Sequence, residues 1–116
     1  MKKLAFVFAG LLLCLSTNVF AAQAAATFEH VKIALEHANV AVVHGKAGHA
    51  SVLVEHATVA LNHTLEASLV ASGVPKTHID AAADSLQKSI DEGKLNHADT
   101  ATTAAEEAVV HLKAVK

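Results

Sequence analysis

Histidines that recur every seven residues restrict the fold of this chain more than any other feature of its sequence. They form two sets of three, and the six residues are His30, His37, His44, His49, His56 and His63. Seven residues are nearly two turns of an α-helix, so each set would form one stripe along a helix, with neighbours ~10 Å apart along the axis. The sets are mirror images about Lys46 and Ala47, because opposite members have numbers that sum to 93. The spacing therefore predicts two antiparallel helices that fold back on each other at this point.

Residues that interrupt helices are few and divide the chain at regular places. Gly45 and Gly48 flank one turn, the segment 72–75 (Ser-Gly-Val-Pro) makes a second, and Gly93 with Asn96 marks a third. The stretches between them are rich in Ala, Leu, Glu and Lys, which are good helix formers. Four helices are predicted, near residues 27–44, 49–71, 77–92 and 97–115.

Apolar residues in the first two helices follow the alternating three-four spacing of a buried seam. In the first helix the seam consists of Phe28, Val31, Leu35, Ala38 and Val42. In the second helix it consists of Leu53, Val54, Ala57, Ala60, Leu61 and Leu65. Because short turns join these helices, we expect them to pack as antiparallel neighbours.

The second half of the chain repeats the first at an offset of 48 residues. The segment 44–49 aligns with the segment 92–97, and the first and last stripe histidines align with His78 and His111. We therefore expect two related helical hairpins, over about 27–71 and 77–115. A hairpin alone exposes much of its apolar seam, so the predicted fold is all-α, with the two hairpins packed as an up-and-down four-helix bundle.

The N-terminus is organised like a secretory signal peptide. A basic start at Lys2 and Lys3 precedes an almost unbroken apolar run over 4–15, and segment 19–21 supplies small residues for a peptidase. We expect a cleavable signal helix at 1–21 and a periplasmic bundle at 22–116. The apolar run is shorter than the ~20 residues of a membrane span, and Leu13 stands where a lipid anchor on Cys14 would need a small residue. No stable membrane anchor is therefore expected after processing.

Removal of residues 1–21 would limit the chemistry open to the protein. Cys14 is the single cysteine of the chain, so histidine and carboxylate would remain as metal ligands. Seven of the nine basic residues remain and stand against eleven Asp and Glu, a balance that does not favour nucleic acid. We find no nucleophile with its base, no phosphate-binding loop and no Cys-x-x-Cys-His motif, so we expect neither an enzyme nor a c-type haem protein.

All nine histidines lie within residues 22–116, and we take them as the candidate metal ligands. They are His30, His37, His44, His49, His56, His63, His78, His97 and His111. The stripe histidines lie about 130° from the centre of the predicted seam and should face mostly outward. The pair beside the first turn, His44 and His49, is the best candidate for direct chelation, and the others are expected to bind one ion each with water or a carboxylate. Glu66, three residues after His63, shares its helix face.

The second hairpin retains less of this pattern. Ser85, Glu92 and Ala104 occupy positions equivalent to stripe histidines, so weaker metal binding is expected there. Aliphatic residues border the outer side of the stripes in the first hairpin, and they are Ile33, Val40, Val52 and Val59. Two interpretations of these aliphatic residues stay open: incidental exposure, or a face for self-association.

Three segments have a distinctive pattern: residues 43–49 (Val-His-Gly-Lys-Ala-Gly-His), 53–57 (Leu-Val-Glu-His-Ala) and 106–113, which ends in His-Leu-Lys. They resemble the small metal-binding protein family (SmbP) of bacterial periplasms. The resemblance implies a secreted, heptad-repeated, histidine-rich protein that binds several divalent ions, with Cu(II) foremost and Ni(II) and Zn(II) also accepted. It also implies a role in copper handling or tolerance. The second half of this chain departs from the family's denser histidine pattern.

The sequence thus predicts a periplasmic buffer or scavenger of divalent transition metals, with metal ions as its partners. Nitrogen ligands and the Irving–Williams order both favour Cu(II) over Ni(II) and Zn(II). Because imidazole binds metal only when it is unprotonated, affinity should fall as the pH drops through ~6.5. The alternative is a non-catalytic periplasmic interaction or acid-stress module whose histidines respond to pH. Metal titration set against pH titration of helicity would distinguish the two.

Overall fold

The structure is a computed structural model that describes the backbone of residues 2–116 and the side chains of residues 19–116. Its four helices are α1 (Lys2–Lys46), α2 (Ala50–Val70), α3 (Gly73–Lys94) and α4 (Ala98–Lys113). α1 packs against α2 and α4, and α3 packs against the same two helices, so each helix has two principal neighbours around a common core. The predicted all-α four-helix bundle is confirmed.

α1 begins well before residue 27, where the first helix was predicted to start. The segment 21–26 is rich in alanine and contains neither glycine nor proline, so nothing in it ends a helix. Most of the predicted signal peptide (1–21), with Cys14, lies outside the residues whose side chains are described, and its cleavage stays a prediction. Among the described residues, no helix combines the length and apolarity needed to cross a bilayer.

α3 also begins earlier than predicted, at Gly73 rather than near residue 77. Pro75 therefore lies in the first helical turn and not in a loop. This position suits proline, because the first N–H groups of a helix have no intrahelical partner and the ring fixes φ near the helical value. Only residues 71–72 separate α2 from α3.

A small polar network ties α2 to α3 beside this junction. Lys76 Nζ donates hydrogen bonds to Ser68 Oγ at 2.6 Å and to Asp80 Oδ1 at 3.0 Å. Ser68 Oγ donates a further hydrogen bond to the same carboxylate. The bond from Ser68 and the nearby Lys76 ammonium lower the pKa of Asp80 below its ordinary value. The network therefore connects the two hairpins where the chain passes between them.

The turns inside the two hairpins have the same geometry, as the 48-residue repeat predicts. In the first turn, Gly48 has φ 77°, and the next residue donates its N–H to the carbonyl of His44 at 2.9 Å. In the second turn, Asn96 has φ 62°, and the N–H of His97 bonds to the carbonyl of Glu92 at 2.9 Å. Both are Schellman helix ends, in which a left-handed residue lets the chain reverse.

Alanine makes up most of the core between α1 and α2, and this core confirms part of the predicted seam, namely Ala38, Leu53, Ala57 and Ala60. The fully buried residues of these two helices include Ala34, Ala38, Ala41, Leu53, Ala57, Ala60 and Ala67. Phe28 and Leu65, both predicted to be in the seam, are 50% and 49% exposed. Ala34 and Ala41 take the central place instead, and they lie only about 40–60° around the helix from His37. The histidine stripes therefore border the core.

Two equivalent glycines allow the helices to converge near the turns. A Cβ on Gly45 would collide with Thr102 of α4 and would lie 2.6 Å from Leu53 Cδ1 of α2. A Cβ on Gly93, the matching residue of the second hairpin, would lie 2.5 Å from Val54 Cγ2. Both positions need glycine because neighbouring helices occupy the space of a side chain. This close packing brings α1 and α2 together beside the first histidine turn.

Candidate metal centre

The histidines of α1 and α2 meet in the pairs that their mirrored numbering predicts. Each pair brings two Nδ1 atoms together, one from each helix. The Nδ1–Nδ1 distances are 3.2 Å for His30 and His63, 3.0 Å for His37 and His56, and 3.5 Å for His44 and His49. The six stripe histidines thus form three rungs along one groove of the bundle.

One detail of the sequence prediction about these histidines is wrong. His37 and His56 were expected to face outward, yet both are half-buried in the groove between the helices. Their Nδ1 atoms are also closer than those of the turn pair, His44 and His49, whose rank as the best chelating pair stays a prediction. The reason is the alanine core, because small side chains between α1 and α2 let the helix axes approach and draw the flanking imidazoles together.

The distances between the paired nitrogens suit joint coordination of one ion. Two nitrogens that each lie ~2.0 Å from a common ion are ~2.8 Å apart at a right angle and ~3.3 Å apart at a tetrahedral angle. The His37–His56 and His30–His63 distances of 3.0 Å and 3.2 Å fall between these values. Chelation by either pair would therefore require little movement of the backbone.

The metal-free pairs are held by hydrogen bonds that an ion would replace. When both rings of a pair are neutral, a bond between the Nδ1 atoms of His37 and His56 requires one ring to carry its proton on Nδ1 and the other on Nε2. The unprotonated Nδ1 then points its lone pair at its partner. If the donating ring moves its proton from Nδ1 to Nε2, both rings stay neutral and both Nδ1 lone pairs are directed at the same point, where they could bind one ion without net release of a proton.

Glu66 adds a third ligand to the pair farthest from the turn. Its Oε2 lies 2.9 Å from His30 Nδ1 and 3.1 Å from His63 Nδ1. With the 3.2 Å between the nitrogens, the three donor atoms form a nearly equilateral triangle. This is the one group of three or more such ligands found among the described residues. Glu66 is 52% exposed, so the open side of the triangle faces solvent.

Two features of the sequence together point to this triangle, although neither predicts it alone. The mirror symmetry places His30 opposite His63, and the three-residue spacing places Glu66 on the face of His63. The carboxylate reaches both rings only because the imidazoles meet in the groove. The predicted outward orientation of the stripes excluded that contact.

The aliphatic residues beside the stripes are half-buried and keep part of their surface exposed, and a role in self-association stays a prediction. Ile33 lies level with Val59 and Val40 with Val52, because each pair of numbers sums to 92. All four have intermediate burial. These aliphatic levels alternate with the histidine rungs and flank them on the outer side of the groove. The imidazoles therefore lie between an alanine core and an aliphatic border.

The second hairpin contains fewer paired donors, as its sequence predicts. His78 and His111 face each other with ring centroids 6.1 Å apart, and no hydrogen bond joins them within the described residues. At the turn, His97 Nδ1 lies 2.8 Å from Glu92 Oε2, so a carboxylate replaces one imidazole of the first hairpin. The residue equivalent to Glu66 is Ala114, which offers no ligand.

Comparison with known families agrees with this geometry. A family model described as "Small metal-binding protein" matches residues 1–115 of the chain. Comparison with individual curated proteins finds no match. The match extends over both hairpins and includes every paired histidine described above. The chain belongs to the small metal-binding protein family.

Proposed function

We propose that this protein buffers or scavenges divalent transition metals in the periplasm, with Cu(II) as its preferred ion and Ni(II) and Zn(II) also accepted. The observation that supports this most strongly is the set of three imidazole pairs whose Nδ1 atoms lie 3.0 to 3.5 Å apart. The membership of the family and the carboxylate beside one pair also support it. Each pair offers an ion two ligands at once.

The donor atoms favour copper in its oxidised form. Imidazole nitrogens suit Cu(II), Ni(II) and Zn(II), and the Irving–Williams order ranks Cu(II) first among them. Residues 22–116 contain no cysteine and no methionine, so the soft sulfur ligands that favour Cu(I) are absent from this part of the sequence. Cu(II) also accepts nitrogens at right angles, and the shortest pair distance, 3.0 Å, is close to the value that such an arrangement requires.

Storage and exchange suit these sites better than catalysis. The imidazoles of the His30 and His63 pair are 33% and 28% exposed, so water and small chelators can reach a bound ion. A cavity of about 230 Å³ lies at one end of the bundle, but none of the stripe histidines lines it. An ion bound in the groove would be accessible to solvent and would lie outside this cavity.

Calorimetry with several metals tests the proposal. We expect the purified protein to bind several equivalents of Cu(II), and more tightly than Ni(II) or Zn(II). A protein with Asn39→Ala and Asn62→Ala, which changes exposed residues on the same two helices, should bind like the wild type. Binding no tighter than that of a scrambled peptide of the same composition would refute the proposal.

Secretion is tested separately. We expect the protein recovered from the periplasmic fraction to begin at residue 22, as N-terminal sequencing would show. Recovery of the full-length chain from the cytoplasm alone would contradict this part of the proposal and would leave the metal sites unaffected.

One observation favours a second function, that of an acid-responsive helical module. Protonation of both members of a pair would place two positive charges about 3 Å apart, and like charges at this distance repel each other. Acid should therefore loosen α1 from α2. If metal-free protein loses helicity with acid but shows no specific metal binding, this second function is favoured over the first.

A further inference from the structure

Two of the three histidine rungs are linked by a contact between their rings, whereas the third is separate among the described residues. The His44 and His56 rings, which belong to different rungs, stack with their centroids 5.8 Å apart and their planes within 2°. Each ring also faces its own partner, at 5.8 Å for His49 and 5.3 Å for His37. Four imidazoles thus form one continuous cluster. Among the described residues, the His30 and His63 rings face only each other.

The direction of helical side chains explains the link between the two rungs. The Cα–Cβ bonds of a helix tilt toward its N-terminus. On α1 this tilt points His44 away from the turn, whereas on antiparallel α2 it points His56 toward the turn. The two rings therefore lean toward each other and meet between their rungs.

Glu66 explains why the third rung does not join the cluster. By the same rule, His37 and His63 should lean toward each other. The Glu66 carboxylate, however, lies within 3.1 Å of His63 Nδ1 and 2.9 Å of His30 Nδ1, on the side away from the turn. These contacts hold both rings at the far rung and divide the ladder into two unlike sites.

We propose that His37, His44, His49 and His56 form a single two-ion centre that binds divalent metals through imidazole nitrogens alone. The His30, His63 and Glu66 triangle holds one separate ion. This inference rests on the proposed metal-binding function. Ions held by the His37–His56 and His44–His49 pairs would be no farther apart than the ~10 Å rise of seven helical residues. They would interact magnetically and electrostatically.

Electrostatics predicts unequal affinities within the centre. Two divalent cations within ~10 Å repel each other, so the second ion should bind less tightly than the first. The four imidazoles are neutral when they bind, and the carboxylate of the third rung lies outside the cluster. The centre would therefore hold one ion firmly and exchange the other readily.

Electron paramagnetic resonance of the Cu(II)-loaded protein tests the two-ion centre. In a His30→Ala background, which removes the third rung, we expect dipolar broadening and a half-field transition that the further substitution His44→Ala should abolish. Loading with a little Cu(II) in excess Zn(II) should also remove the coupling, since each copper would then have a diamagnetic neighbour. Circular dichroism of both variants checks that the helices are retained.

The outcomes separate this inference from the proposed function. Fully loaded protein that gives only isolated Cu(II) spectra would overturn the two-ion centre and leave metal binding intact. A single ion with four equivalent nitrogens would overturn it as well. Absence of protein-bound Cu(II) would instead contradict the proposed function itself.

Discussion

Glu66 is the residue that makes one rung of the ladder chemically different from the others. One oxygen of its carboxylate, Oε2, contacts both His30 and His63. Glu66 thus adds a negative charge and a hard oxygen donor to two nitrogens. A site with two imidazoles and one carboxylate suits metals that accept mixed nitrogen and oxygen ligands, such as Zn(II). The all-nitrogen rungs near the turn lack such a group.

Replacing Glu66 should weaken one site and leave the rest unchanged. We expect Glu66→Gln to reduce Zn(II) affinity at the far rung by about tenfold or more, equivalent to ~1.4 kcal/mol, because an anionic ligand is lost. Competition with a chromophoric chelator measures this change. The matched control is Glu29→Gln, since this exposed acid precedes His30 and diverges from it by about 100° around the helix. An equal effect of both substitutions would show that only general charge matters.

The reciprocal change should build a site in the second hairpin. Ala114 is the equivalent of Glu66, and its neighbours His78 and His111 already face each other at 6.1 Å. We expect Ala114→Glu to add one Zn(II) equivalent or to tighten an existing one. Calorimetry on this variant and on Ala114→Gln tests the idea, and it fails if both variants bind like the wild type.

At the scale of helices, the alanine interface between α1 and α2 sets the distance between paired imidazoles. Ala34 is fully buried there, and so is Ala82, which occupies the equivalent position in α3. A larger side chain at either position would push apart the helices of its own hairpin. Only the first hairpin contains a complete set of histidine pairs. A larger side chain would therefore disturb the spacing of such a set only in that hairpin.

This contrast gives a matched pair of substitutions. We expect Ala34→Leu and Ala82→Leu each to destabilise the bundle by about 1–3 kcal/mol through overpacking. Ala34→Leu should also weaken Cu(II) binding at the His30 and His37 rungs, whereas Ala82→Leu should leave it nearly unchanged. Thermal unfolding and Cu(II) calorimetry measure the two effects. Equal losses of affinity would mean that helix spacing does not control chelation.

The α2–α3 junction should make stability depend on acid. The folded pKa of Asp80 lies below its ordinary value of 3.8, owing mainly to the hydrogen bond from Ser68 and also to Lys76. The network therefore contributes stability above about pH 4 and loses it as the pH falls through the folded pKa. The contribution should be small because Asp80 is half-exposed. We expect Asp80→Asn to destabilise the protein in denaturant titrations at neutral pH but not at pH well below the folded pKa.

At the scale of the whole molecule, the sequence predicted the architecture better than the exposure of the site. Mirrored histidine numbers and the 48-residue repeat indicated two antiparallel hairpins and the correct partner for each stripe residue. The predicted exposure of the stripes was wrong. The seam was assigned from a three-four pattern that includes the exposed residues Phe28 and Leu65, whereas Ala34 and Ala41 are fully buried. Alanine is too small for its periodicity to stand out against bulkier apolar residues.

The contact of Glu66 with both rings could not be predicted from residue spacing, for a related reason. It depends on how far two imidazoles turn into a groove, and this is decided by the packing around them. The starts of α1 and α3 were predicted wrongly because the residues there are compatible with either a helix or a loop. Alanine continues a helix unless something ends it, and proline ends a helix everywhere except in its first turn.

The central claim is that opposite histidines bind one ion together rather than one each, and a double-mutant cycle on Cu(II) binding tests it most directly. We predict that His37→Ala and His56→Ala each remove the same Cu(II) equivalent, and that the double variant loses little more than either single variant. Each single variant would leave one imidazole without its partner at the shared site. Losses that add, with one equivalent removed by each substitution, would show independent single-histidine sites and would contradict the claim.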